Sequence, residues 1–128
     1  MKKIFGFIMI GTNNLATSSK FYDLIFAPLD LIKVLTTERY IGYAQKNIPG
    51  DIVFYITKPF NKEPATYGNG TQISLLADSK EAVDKFHQVA LNNGARNEGS
   101  PGIRSGDYYA YIRDPDGNKI CAYSVVIN

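Results

Sequence analysis

The sequence predicts an α+β fold of two βαβββ modules in tandem, with helices on one side of each sheet, and three observations carry that expectation. The order strand, helix, then strands occurs twice, at an offset of 65 that lays Phe21 on Phe86, Phe7 on Gln72 and Asn14 on Ser79. Each helical stretch follows residues suited to cap it, Thr12 to Asn14 in the first copy and Asp78-Ser79 in the second. The chain then closes on Asp107 to Tyr123, two aromatic and β-branched runs around Asp114-Pro115-Asp116-Gly117, which is a hairpin signal.

The elements follow in order. Residues 4 to 11 form an apolar first strand, and Leu15 to Phe26 carries Leu15, Phe21, Leu24 and Ile25 at helical spacing until Pro28 stops the helix. Strands are expected over Leu29 to Thr36, Tyr40 to Gln45 and Asp51 to Thr57, the last after the Pro49-Gly50 turn. Module one thus spans about 1–57, and the Pro- and Gly-bearing stretch 58–69 links it to module two, about 70–128, within one domain. Thr71 to Leu76 repeats the strand. Ser79 to Asn93 repeats the helix, with Ala82, Val83, Phe86, Val89 and Ala90 on one face and Gly94 ending it. Gly99 to Gly106 reads as a loop before the hairpin.

In the hairpin, Pro115 pre-sets φ for a type I turn and Gly117 takes the positive φ of the following bulge. With Asp114 and Asn118 closing the turn, Ile112 faces Ile120, Tyr111 faces Cys121, Ala110 faces Ala122 and Tyr109 faces Tyr123. One face is small and aliphatic. The other carries Tyr109, Tyr111, Arg113, Lys119, Cys121 and Tyr123, too polar for a sealed core and too aromatic for an ordinary solvated surface.

Bulk properties narrow the function. The net charge is +2 with 20% charged residues, scattered rather than clustered, which predicts no electrostatic grip on nucleic acid or anionic membrane. No stretch approaches the roughly 20 apolar residues of a membrane span, and Lys2-Lys3 before the apolar run lacks a signal-peptide cleavage site. The single Cys121 excludes an intramolecular disulfide and fits a reducing, cytoplasmic location.

Gly70-Thr71-Gln72-Ile73, Ala82-Val83-Asp84-Lys85-Phe86-His87, Ser100-Pro101-Gly102-Ile103-Arg104 and Tyr108-Tyr109 through Asp114-Pro115-Asp116-Gly117-Asn118-Lys119-Ile120 together resemble the vicinal oxygen chelate superfamily, which includes glyoxalases, bleomycin- and fosfomycin-resistance proteins and extradiol dioxygenases. Asn14-Leu15 and Phe21-Tyr22 extend the resemblance to nearly the whole chain. It implies two modules whose sheets form a cleft-shaped, partly closed sheet, often completed by a homodimer. It also implies a divalent metal held by His, Gln or Glu from the first and last strands of each module, a Lewis acid toward adjacent substrate oxygens. On this chain those positions fall on Phe7, Gln72, Cys121 and a residue near Phe54. One amide and one thiol do not make a site for a hard cation, so no metal cofactor is expected.

The remaining candidates divide between site and scaffold. Tyr109, Tyr111 and Tyr123 either stack on a planar or apolar ligand or fill a cleft or dimer interface. Arg104 either pairs with an anionic ligand or holds its loop, and Gln72 either orients a ligand or satisfies a strand end. Phe7, Phe54 and Met9 would add apolar lining. His87, the only histidine, belongs on a helix outside the cleft, and Cys121 behaves as a small hydrophobe rather than a nucleophile. The expected function is binding of a small, partly aromatic or apolar molecule without a metal. A glyoxalase-like lyase or isomerase or an extradiol-type dioxygenase would need an atypical site using Tyr111, Asp107 or Cys121. A protein-interaction module is the third alternative.

Overall fold

In the computed structural model residues 3–126 are described; Lys2 lies outside them. The first module comprises β1 (Ile8–Gly11), α1 (Leu15–Phe26), a 3-10 turn (Ala27–Leu29), β2 (Leu31–Thr36), β3 (Tyr40–Gln45) and β4 (Ile52–Thr57). The second comprises β5 (Ile73–Leu76), α2 (Lys80–Asn92), β6 (Arg96–Arg104), β7 (Asp107–Arg113) and β8 (Lys119–Ser124). Each makes a four-stranded mixed sheet of the same order, β1-β4-β3-β2 and β5-β8-β7-β6. The first strand of each module runs parallel to its last. The expected α+β fold and duplication are what the chain forms, with both sheets open.

The caps are equivalent too. Asn14 Oδ1 accepts from Thr17 N at 3.0 Å, and Ser79 Oγ accepts from Ala82 N at 3.1 Å. Each satisfies a helix-end donor, which stabilises by about 1 kcal/mol. Both helices then bury their apolar faces in one shared core: Phe21, Tyr22, Ile25 and Phe26 from α1, and Val83, Phe86 and Ala90 from α2. Against them lie Tyr43, Phe54 and Ile56 of the first sheet and Ala110, Ile112, Ile120 and Ala122 of the second. Leu24, expected on the inner face of α1, is exposed, and Tyr22 and Phe26 fill that role.

Three expectations change. The first strand begins at Ile8 rather than residue 4, because the parallel ladder starts at the Ile8–Phe54 pair, where β4 bulges against β3 between Tyr43 and Ala44. Pro28 lies in the 3-10 turn, with Asp30 left-handed (φ 56°) after it, so β2 starts at Leu31 rather than Leu29. The stretch 99–106, expected as a loop, is mostly strand: β6 pairs with β7 from Arg96 to Arg104 through two bulges at Asn97/Gly99 and Gly99/Gly102. An edge strand accommodates Pro101 and such bulges because its outer hydrogen-bonding groups face away from the sheet.

The modules are clasped through the β7–β8 turn. Gly117 has φ 92°, and Asp114 N donates to Asn118 O at 2.9 Å, closing the turn as expected. Asp114 is buried and accepts from Tyr22 Oη (2.6 Å), Asp116 N, Asn118 N and Asn118 Nδ2. Asp116 accepts from Thr12 Oγ1 at 2.6 Å and Asn13 N at 2.9 Å. Asn118 Nδ2 also reaches Gly11 O at 3.1 Å, and Asn13 exchanges two hydrogen bonds with Ala65 of the linker. The end of β1, the linker and the turn are thereby held at one joint. Among the described residues no helix is long and apolar enough to cross a membrane.

Candidate functional site

Since both helices fill one core, each sheet has a second face turned away from it. On the second sheet this face carries Tyr109, Tyr111, Tyr123 and Cys121, because Ala110, Ile112, Ile120 and Ala122 alternate with them and point at the core. The hairpin register expected from sequence is the one formed: Tyr109 opposite Tyr123, Tyr111 opposite Cys121. The three phenol rings form a nearly parallel row. Tyr109 and Tyr123 lie 5.1 Å apart at 14°, and Tyr109 and Tyr111 lie 5.9 Å apart at 3°.

Cations and amides edge this row. The Arg104 guanidinium lies 5.3 Å and the Lys119 ammonium 5.2 Å from the Tyr111 ring centre. Arg104 also donates to Tyr109 O (2.8 Å), Ser100 O (2.7 Å) and Gly102 O (3.4 Å), so it ties the bulged β6 to β7. Gly99 gives Tyr111 its room: a Cβ there would lie 2.7 Å from the ring. Gln72 Nε2 donates to Ser74 Oγ at 3.0 Å, and Ser74 stands directly across from Cys121 on the parallel strand. A polar line thus runs from the exposed Gln72 through Ser74 to the buried thiol beside Tyr111.

Burial pushes the Cys121 thiol up, although the Ser74 hydroxyl, Lys119 and Arg104 pull the other way. Tyr109 is pushed up by desolvation and then by the Asp107 charge; Tyr111 is pushed up by desolvation and the neighbouring thiol, against Arg104. Near neutral pH the Tyr109 and Tyr111 phenols are therefore protonated and can donate and accept hydrogen bonds, while the Cys121 thiol is covered. Asp107 accepts from Val126 N at 3.1 Å.

The outward face of the first sheet is different. Phe7 packs edge-on against Tyr55 at 5.0 Å, Tyr40 lies 5.6 Å from Tyr55 on its other side, and Met9 pairs with Tyr55 across the ladder. Phe7 is 57% exposed. Phe54, a sequence candidate for this lining, faces the opposite way: it is 1% exposed and packs against Tyr22 and Phe26 in the core. The residue with the outward orientation is its neighbour Tyr55. His87 is buried against β6, its Nε2 2.9 Å from Asn97 Oδ1, away from both outward faces.

The structure thus brings Gln72, Arg104, Tyr109, Tyr111 and Tyr123 onto one face of the second sheet, with Cys121 covered on the same face, and leaves Phe7 on another. Ser74 and Tyr55 were missed by sequence reasoning; Lys119 was placed on the aromatic face but not among the site residues. The tyrosine face is an open wall, whereas hollows lie elsewhere. One of about 710 Å³ runs beside the start of α1 past Lys20, Lys33 and Lys58, and one of about 530 Å³ lies by Arg39 and Phe60.

The strand register makes Tyr55, opposite Met9, the first-module counterpart of Cys121, opposite Ser74; with Phe7 and Gln72 these are the positions at which the resemblance implies metal ligands. One amide and one thiol from this set do not make the oxygen and imidazole donor set of a hard divalent cation. Among the described residues no group of three His, Cys, Asp or Glu side chains is placed to hold one.

Comparison with known proteins agrees with this scaffold. The sequence profile of the Glyoxalase/Bleomycin resistance protein/Dioxygenase superfamily matches residues 4–122. A glyoxalase/bleomycin resistance protein from Albidiferax ferrireducens T118 is 39% identical, with a TM-score of 0.88 over 97% of this chain and 100% of that one. A glyoxalase/bleomycin resistance protein/dioxygenase family enzyme from Burkholderia phytofirmans PsJN is similar in fold, at 21% identity, TM-score 0.74, and coverage of 94% and 98%. So is the fosfomycin resistance protein FosX from Mesorhizobium loti, at 14% identity, TM-score 0.70, and coverage of 99% and 96%. No functionally curated protein matches the sequence. The duplicated modules, the clasping hairpin and these similarities make the chain a member of the glyoxalase/bleomycin resistance protein/dioxygenase superfamily.

Proposed function

We propose that the chain is a binding protein for a small, partly aromatic molecule, held without a metal against the outward face of the second sheet. The observation that carries this reading is the parallel row of Tyr109, Tyr111 and Tyr123, partly exposed and edged by the polar line of Gln72 and Ser74. Aromatic walls with a few placed polar groups are the usual make-up of small-molecule sites. The poor donor set favours holding a compound over metal-assisted chemistry.

A single wall does not enclose a ligand, so the reading includes a homodimer. The first sheet's outward face, with Phe7, Met9, Tyr40 and Tyr55, offers an apolar second wall when supplied by another copy. Leu76, 62% exposed at the end of β5, adds apolar surface that such a contact would cover. Cytoplasmic residence belongs to the same reading, in keeping with the lone unpaired Cys121.

The test is a thermal-shift screen over broad metabolite and drug panels, in which a ligand at 100 times its dissociation constant stabilises by about 2.7 kcal/mol. A concentration-dependent rise in melting temperature is expected for at least one chemical class. No shift across the panels, or hemithioacetal isomerisation or catechol cleavage on adding zinc, nickel, manganese or iron(II), would count against the proposal.

A further inference from the structure

We infer that the ligand class taken by this face is a planar aromatic carboxylate; the inference rests on the binding role proposed above and adds the charge of the ligand to it. Tyr109 lies within 14° of parallel to each of the other two rings, so a flat ring lying parallel to them extends the row, and offset parallel contacts are a favoured aromatic geometry. The Tyr111 end of the row is cationic. Lys119 Nζ lies 5.2 Å from that ring's centre and, among the described residues, enters no salt bridge.

Arg104 stands at the same ring, and its bonds to Ser100, Gly102 and Tyr109 use only part of a guanidinium's five donors. The acidic groups nearby are already engaged: Glu98 pairs with Arg113 at 2.6 Å, and Asp107 accepts from Val126 N. A carboxylate at this end meets two cations while its ring remains on the tyrosines. A cationic ring would meet the same two groups as repulsion, which gives the face its sign. Neutral phenols along the row add hydroxyl donors rather than opposing charge.

The experiment compares three probes with one ring system, 2-naphthoate, 2-naphthamide and 2-naphthylmethylammonium, titrated calorimetrically into the full chain at low and high salt. Naphthoate is expected to bind about fivefold tighter than the amide, the margin of a partly exposed ion pair, and to lose that margin in high salt. The ammonium probe is expected to bind most weakly. Lys119→Gln should remove most of the preference of naphthoate over the amide, with the circular dichroism spectrum confirming the fold; Arg104 is left intact because it holds β6. Equal binding of naphthoate and amide, or a preference untouched by Lys119→Gln, overturns the ligand class while the binding role stands. Failure of all three probes at millimolar concentration also overturns the class, whereas the binding role is decided separately by the thermal-shift panels.

Discussion

Tyr55 occupies in the first sheet the place that Cys121 occupies in the second: Met9 faces Tyr55 across β1 and β4 as Ser74 faces Cys121 across β5 and β8. A phenol and a thiol therefore stand where the superfamily resemblance implies metal-binding side chains.

The thiol is the first point of test. Cys121 is fully buried, and burial pushes its pKa up, so little thiolate is present at pH 8. Reaction with a chromogenic disulfide reagent is expected to run more slowly in the native chain than in denaturant, because the native thiol is both covered and less ionised. Equal rates would show the sulfur to be accessible and activated.

The clasp between modules is the second. Tyr22→Phe removes the 2.6 Å hydrogen bond to the buried Asp114 carboxyl and should cost about 1–3 kcal/mol in urea unfolding, since it strips a donor from a buried acceptor. A loss below about 0.5 kcal/mol would mean the joint contributes little. Burial raises the Asp114 pKa against the pull of its bonds from Tyr22 and Asn118. The folded chain then binds this proton more tightly. The group's contribution is full below its unfolded value of about 4 and is lost as pH rises through the folded value, a slope that Asp114→Asn should remove.

Alkaline stability is the third. Tyr22 is pushed well above the ordinary phenol value by burial and then by Asp114, and Tyr43 by burial and its 2.8 Å bond to Asp23. Both raise the pKa of the folded state, so their stabilisation is complete below the unfolded phenol value of about 10 and is lost as pH rises beyond it. In an ultraviolet absorbance titration, two of the nine tyrosines should ionise only as the chain unfolds. Reversible ionisation of all nine near pH 10 in the folded state would contradict this.

Local chemistry made the hairpin and both helices legible. Asp-Pro-Asp-Gly specifies its turn, and that turn sets the register that puts the tyrosines on one face. β6 was not legible because Gly99, Pro101 and Gly102 remove the alternation that announces a strand; its pairing comes from β7 and from Arg104 bridging the bulges. Phe54 was misplaced for a related reason. The offset between modules is 65 from Ile8 to Ile73 but 66 from Tyr55 to Cys121, so the offset of 65 carried back from Cys121 falls on Ile56; Ile56 and Phe54 lie either side of Tyr55, and a one-residue slip in either direction turns a strand position to the other face. Ser74 reaches Cys121 only through parallel pairing of distant strands. The outward orientation of both aromatic faces depends likewise on the two helices sharing one core, a tertiary outcome that no local pattern contains.

The most direct measurement is the affinity of a ligand found by the thermal-shift screen, determined calorimetrically for the wild-type chain and Tyr111→Ala, each with a chelator and with added zinc. Binding at the tyrosine row without a metal is expected to persist unchanged in chelator and to weaken about tenfold when the ring is removed. Affinity abolished by chelator and restored by zinc, or left intact in Tyr111→Ala, would contradict it.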